Sequence, residues 1–133
     1  MRITKRFNFS ASHRLFNPGL SEKENKEIFE ECNRPHGHNF TLDIAVEGDV
    51  DARTGMVINF HELKRTVKEH VVDYFDHKDF EKDVAEFKDK VQTVENLAKI
   101  IWERLKNKIP KEVRLKLIRI AETEKNWVEY DGD

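Results

Sequence analysis

From Ile3 to His13 the apolar positions fall on every second residue: Ile3, Phe7, Phe9, Ala11 and His13 share one parity, and Arg2, Thr4, Arg6, Asn8 and Ser10 share the other. The run from His36 to Val46 repeats the pattern, with His38, Phe40, Leu42, Ile44 and Val46 opposite to Asn39, Thr41, Asp43 and Glu47. A period of two marks a strand with one buried face, so each run predicts a half-buried β-strand. The period then changes. Phe60, Leu63, Val67, Val71 and Phe75 recur at helical spacing behind Asn59 and Glu62, which resemble a capping box, and predict a long helix. Thr93 is a plausible N-cap for a second helix lined by Val94, Leu97, Ile101 and Leu105. Val113 to Glu122 reads as a strand whose apolar phase switches between Leu117 and Ile118, which implies a bulge or burial on both faces. Trp127 to Tyr130 adds a short final strand.

The order ββααββ, with no crossover of the βαβ type, predicts an α+β fold: a four-stranded antiparallel sheet with two helices on one face, in one domain covering residues 1–133. Met56 to Ile58 reads as a short extended piece. Asn17 to Glu31, the longest polar insertion, reads as a mobile loop with a short helical piece. An open sheet leaves unpaired edges, and joining them between subunits into a barrel is an economical way to finish such a fold.

Composition narrows the function classes. With 24 basic against 26 acidic residues the net charge is −2, which disfavours a dedicated nucleic-acid binder and leaves room for a local basic pocket facing a phosphorylated ligand. No apolar run approaches membrane-spanning length, no apolar leader follows Met1, and Cys32 is the single cysteine. The expectation is a cytoplasmic, disulfide-free protein with no membrane and no nucleic-acid partner. The charged fraction of 38% fits a surface laced with ion pairs.

The chemistry concentrates between Cys32 and Phe40. Cys32 stands four residues before His36, and His36 and His38 at i, i+2 project from one face of their strand while Gly37 leaves the other face open. Two imidazoles make half of a catalytic zinc site, which takes three protein ligands and keeps one position free. His13, at the end of the first strand and on its apolar parity, is the obvious third. From the residues alone the pair equally fits a hydrogen-bonded core feature. A lone cysteine is commonly a small apolar residue. Asp76 and His77 read as a helix C-terminal pair facing the dipole, and Thr93 most simply as a cap.

The ordered motifs add up to more. Phe9-Ser10-Ala11-Ser12-His13, Cys32-x-x-x-His36-Gly37-His38, Gly55-Met56-Val57-Ile58-Asn59-Phe60-x-x-Leu63-Lys64, Phe75-Asp76-His77, Thr93-Val94-Glu95-Asn96-Leu97-Ala98 and Glu122-Thr123 run nearly end to end. By these the chain resembles the 6-pyruvoyl-tetrahydropterin synthase and 6-carboxy-tetrahydropterin synthase family of tunnelling-fold enzymes. The resemblance implies a zinc ion on His13, His36 and His38, Cys32 as catalytic base, Asp76 and His77 as a proton-transfer pair, Glu122 as the pterin anchor, and a backbone contact from Thr93 to the pterin. Glu124 competes with Glu122 on the same strand face, and the Glu122-Thr123 match decides for the former. The resemblance further implies a homohexamer of two stacked trimers with sites between subunits, so that Asp76 and His77 meet Cys32 from a neighbouring chain. His61 and His70 match nothing and read as helix-surface residues.

Within the family the substrate is 7,8-dihydroneopterin triphosphate and the products differ. The three-residue gap between Cys32 and His36 resembles the 6-carboxy-tetrahydropterin synthases of queuosine biosynthesis, whereas 6-pyruvoyl-forming enzymes usually carry a longer one. A branch forming 6-hydroxymethyl-dihydropterin uses a glutamate near the cysteine, here Glu31. A zinc-holding structural oligomer without activity is the reading from another class. The chain departs from the family pattern at Pro35, Asn59 and Gln92, none of them an expected ligand. Lys5, Arg14, Arg34 and Lys125 are the cations near the motifs available to a triphosphate.

Overall fold

A computed structural model describes residues 1–133. Strand β1 (Arg2–His13) pairs antiparallel with β2 (His36–Glu47) without a break from Arg2 opposite Glu47 to His13 opposite His36. Both strands keep the predicted parity. Phe7, Phe9 and Ala11 with Phe40, Leu42, Ile44 and Val46 are buried on one face, and Arg6, Asn8 and Asn39 are exposed on the other. The in-phase pairing carries the alternation to its end, where the same face presents histidines instead of hydrocarbon.

Strand β4 (Arg114–Ala121) joins β2, and β5 (Trp127–Tyr130) joins β4, both antiparallel. Between Ala45 and Val46 the register slips: Val46 faces Leu115 while Ala45 faces Leu117, which leaves Lys116 as the extra residue of a bulge. The slip explains the phase switch in the sequence. Beyond it Ile118 and Ile120 join the core, and the same parity leads to Glu122 at the strand's end.

The sheet has five strands, not four, and it is mixed. Lys78–Asp79 forms a two-residue strand, β3, parallel to β1 at Ala11 and Ser12, giving the order β3-β1-β2-β4-β5. Its pairing belongs to the backbone and leaves no apolar pattern to read. Met56–Ile58 forms no strand. The polar insertion is more ordered than expected: Ser21 and Glu24 make a reciprocal capping box that starts helix α1 (Glu22–Phe29). Asn59 caps α2 (Phe60–Val67) by accepting from the His61 N–H.

The long helix runs from α2 through a π-turn at Lys68–Val72 into α3 (Asp73–Phe75), and Leu63, Val67, Val71 and Phe75 keep the buried stripe across the turn. A π-turn loosens the carbonyl ladder, and Arg104 Nε donates to the His70 carbonyl at 2.7 Å. The same guanidinium lies over Tyr74, 3.6 Å from the ring centroid, and meets Glu86 at 2.9 Å. Burial opposes ionisation of Glu86, but hydrogen bonds from Tyr74 and Arg104 outweigh it and hold the carboxyl below its usual range. Short helix α4 (Phe80–Asp83) follows β3, and α5 (Val94–Leu105) packs Leu97, Ile101 and Leu105 against the sheet.

Aromatic rings floor the histidine end. Phe9 and Phe40 stack at 5.2 Å, Phe40 and Phe80 at 5.8 Å, and His13 meets Phe40 and Phe80 edge-on at 6.0 and 5.8 Å. Close-packed rings leave a polar group there little room to move and little solvent.

Candidate active site

The β1–β2 register puts His13 opposite His36 and Ala11 opposite His38, so the three imidazoles converge at one corner of the buried face. Their ring centroids are 4.5, 5.1 and 5.0 Å apart, and one nitrogen from each lies within 4.8 Å of the others. His13 is only 3% exposed. Its Nδ1 is 2.7 Å from the Gln92 carbonyl, which can only accept, so Nδ1 carries the hydrogen and Nε2 bears a lone pair. That Nε2 is buried and has no hydrogen-bond partner. His36 repeats the arrangement, with Nδ1 donating to the Arg34 carbonyl at 2.7 Å.

An orphaned buried acceptor costs about 1–3 kcal/mol, and a cation bound to the lone pair offsets that cost. Three imidazoles, two with their second nitrogen fixed by a backbone carbonyl, make the donor set and outer support of a zinc site with an open fourth position. The residues fit the metal.

Electrostatics agree. Burial lowers the His13 pKa to about 4, against the opposing bond to Gln92 and with help from the neighbouring imidazoles. His38 is lowered too, by burial first, although Glu122 opposes the shift from 3.8 Å away. Both rings are therefore neutral near pH 7, as ligands must be. The linkage has a definite sign. Between the ordinary value of 6.5 and about 4, the unfolded chain takes up a proton that folded His13 refuses. We expect the metal-free protein to lose stability as pH falls through that window, and a His13→Asn variant to lose less, measured by urea denaturation at pH 7, 6 and 5. Parallel curves for the two proteins would contradict the assignment.

The second cluster sits across β1. Asp76 follows α3, and His77 adopts φ 60, a left-handed backbone that a residue with a Cβ rarely takes. Ser10 holds both: its N–H donates to Asp76 Oδ1 at 2.9 Å, and its carbonyl accepts from the His77 N–H at 2.6 Å. Asp76 Oδ2 lies 2.9 Å from His77 Nδ1. The Ser10 N–H first, and His77 second, keep the Asp76 carboxyl below its usual range. A carboxylate on Nδ1 fixes the tautomer with Nε2 free, on an imidazole whose side chain is 83% exposed. The pair is thus stitched to β1, and is more than a helix-end ornament.

Two clefts flank this end. One, of about 520 Å³, runs between Ser10, Ser12, His38 and His77. The other, of about 640 Å³, lies along the polar face of the sheet beside His38 and is closed by Glu122, Thr123 and Glu124, with Arg6 and Asp43 paired at 2.7 Å inside it. Gly37 lines both clefts on the face opposite the histidines; a Cβ there would meet the Ala11 carbonyl at 3.3 Å.

Glu122 also borders a hollow shared with Val94 and Glu95 at the start of α5. Thr93 spends its hydroxyl on the Asn96 N–H, as a cap does. Cys32 lies in the 3₁₀ turn Glu30–Asn33 and is exposed, its carbonyl accepting from the Leu15 N–H at 2.8 Å, two residues beyond His13. It borders neither cleft. The structure therefore gathers His13, His36, His38 and Glu122 at one corner and Asp76 with His77 beside it, while Cys32 lines neither cleft.

Among the cations, Lys125 borders the Glu122 hollow, Arg34 contributes its carbonyl to His36, and Lys5 packs over Phe7 and Phe60. The supporting roles of Gln92 toward His13 and of Ser10 toward Asp76 and His77 escaped the sequence reading, because they run through the backbone, which carries no side-chain signature.

The sequence matches the model of a protein family described as 6-pyruvoyl tetrahydropterin synthase over residues 2–133. Among curated relatives, the 6-pyruvoyl tetrahydrobiopterin synthase of Drosophila melanogaster is 44% identical, covering 98% of this chain and 79% of that protein. A putative 6-carboxy-5,6,7,8-tetrahydropterin synthase of Archaeoglobus fulgidus is 33% identical, covering 91% of this chain and 87% of that one. The solved structure of Caenorhabditis elegans 6-pyruvoyl tetrahydropterin synthase superposes with a TM-score of 0.94 at 38% identity, covering all of this chain and 96% of its own.

Proposed function

The chain belongs to the 6-pyruvoyl tetrahydropterin synthase family, and from that premise we propose that residues 1–133 form one catalytic domain, a zinc-dependent lyase converting 7,8-dihydroneopterin triphosphate to 6-carboxy-5,6,7,8-tetrahydropterin in the cytoplasm. The observation that carries the chemistry is the buried, partnerless Nε2 of His13 among three convergent imidazoles. Zinc, when bound, supplies a Lewis acid that acidifies a side-chain hydroxyl and spreads the charge left by proton removal.

The protein residues do the rest. The Glu122 carboxylate accepts two parallel hydrogen bonds from the aminopyrimidinone edge and fixes the ring with its side chain toward the histidines. Cys32, as thiolate, removes a carbon-bound proton. His77 relays protons through Nε2 while Asp76 holds Nδ1–H and stabilises the charged ring. Loss of triphosphate, and carbon–carbon cleavage in which one water supplies the second carboxylate oxygen and acetaldehyde leaves, complete the change. The separation of Cys32 from the cleft of His77 within one chain, and the open edges at β3 and β5, support a ring of subunits in which each site draws on two chains; a hexamer of two trimers satisfies both. No helix is long and apolar enough to cross a membrane.

The choice of product rests on the Cys32 to His36 gap, because it sets where the base stands relative to the imidazoles, and function follows the site more than the fold. A second reading, release of 6-pyruvoyl-tetrahydropterin, is favoured by the higher identity to the insect enzyme. Incubation of the zinc-loaded protein with dihydroneopterin triphosphate, followed by mass spectrometry, decides. We expect 6-carboxy-tetrahydropterin and acetaldehyde in equal amounts. The pyruvoyl compound alone establishes the second reading, and an untouched substrate refutes both.

A further inference from the structure

Past His13, on the side of its Nδ1, lies a separate hollow of about 460 Å³, lined by Arg14, one of the four cations near the motifs. Gln92, 8% exposed, joins it to the metal corner: its carbonyl holds His13, and its Oε1 accepts from the Arg14 N–H at 3.1 Å. The Arg14 guanidinium lies over Phe16, 4.4 Å from the ring centroid, and its Nε is buried with no acceptor. Lys82, Lys88 and Lys90 also line it; none of the three enters an ion pair, and Lys90 Nζ reaches the Glu86 carbonyl at 3.5 Å. Glu81 and Asp83 share the rim, but Asp83 already accepts from the Asp79 N–H at 2.9 Å. Four cations thus face two carboxylates in a chain whose overall charge is −2.

We propose that this hollow binds a chain of phosphates. A desolvated arginine donor without an acceptor is costly, and the guanidinium fork suits phosphate oxygens while lysines add mobile point charges around it. One carboxylate ligand would satisfy Arg14 and leave three ammonium groups unanswered. A nucleic acid needs an extended basic track, which a hollow of about 460 Å³ does not offer. Two sources share the required chemistry: the tail of the phosphorylated substrate, which rests on the reaction proposed above, or a free polyphosphate, which does not.

The test is calorimetric titration of inorganic tripolyphosphate into the zinc-loaded protein at low salt, with zinc content measured afterwards. The Lys88→Ala/Lys90→Ala double variant is expected to bind at least ~10-fold more weakly, and Arg14→Lys also more weakly for want of the fork. Lys64→Ala, on α2, is expected to bind like wild type. No binding, or equal binding in all variants, overturns the proposal; equal heats are also what mere zinc chelation would give. Competition with substrate and a raised KM at unchanged kcat in the double variant assign the hollow to the substrate tail. Non-competitive binding with unchanged KM assigns it to a separate ligand. Because the titration needs no turnover, failure of the proposed reaction leaves this result standing.

Discussion

Replacing Cys32 with alanine is expected to lower turnover by about 100-fold or more, the usual worth of a positioned base, while zinc content and pterin affinity stay at the wild-type level. The geometry makes the separation testable. Cys32 is exposed in its turn, and the bond that anchors it runs through its backbone carbonyl to Leu15, which alanine preserves. Truncation therefore leaves the fold and the three imidazoles untouched and removes only the thiol. Single-turnover rates, zinc analysis and pterin titration on one preparation provide the check. A variant that loses zinc would make Cys32 a ligand, and one that turns over normally would pass the base role to another group, with Glu31 beside it first in line. Mixing Cys32→Ala chains with His77→Ala chains should restore part of the activity if each site draws on two subunits.

The second large effect belongs to the three convergent histidines. His13→Ala, His36→Ala and His38→Ala are each expected to retain less than about a tenth of the wild-type zinc, since losing even an outer-shell partner of a zinc ligand typically costs 10–100-fold in affinity. Turnover should fall to background with it. Gln92→Ala provides the contrast: the bond to His13 uses the Gln92 carbonyl, which alanine keeps, so zinc should stay bound although the contact to the Arg14 N–H is lost. Elemental analysis of the four proteins decides. Full occupancy in the histidine variants would leave the cluster as a buried hydrogen-bonded feature.

The legible parts of the molecule were those where one side of an element is buried. Phe7, Phe9 and Ala11 against Phe40, Leu42 and Ile44 announce two strands because a slip of one residue would turn every ring to water. The same parity showed that His13, His36 and His38 face one way, and the register then placed them together. The π-turn at Lys68–Val72 left no trace, because Val67, Val71 and Phe75 are spaced as in an uninterrupted helix. The strand Lys78–Asp79 is two residues of backbone pairing with no apolar pattern. Ser21 and Glu24 did spell out a capping box, and the surrounding polar residues masked it. What holds the imidazoles and the dyad was invisible for a common reason: the carbonyls of Gln92 and Arg34 and both backbone groups of Ser10 are present in every sequence and become specific only once the chain has folded.

Lys116 shows how discrete such specificity is. In a strand, orientation behaves as a parity bit, and the single unpaired residue at Lys116 flips that bit for everything downstream of it. Pairing Lys116 regularly with Ala45, so that no residue is left out, would not nudge Glu122 by an ångström or two; it would send the carboxylate through the sheet to the far side and bring Arg119 and Ala121 round in its place. Lys116 and Glu122 are six residues apart, and a residue gained or lost between them turns the carboxylate to the other face, whereas a substitution there does not. The alignment of Glu122 with the histidines is thus stored as an integer, and point mutations along the strand cannot erode it by degrees.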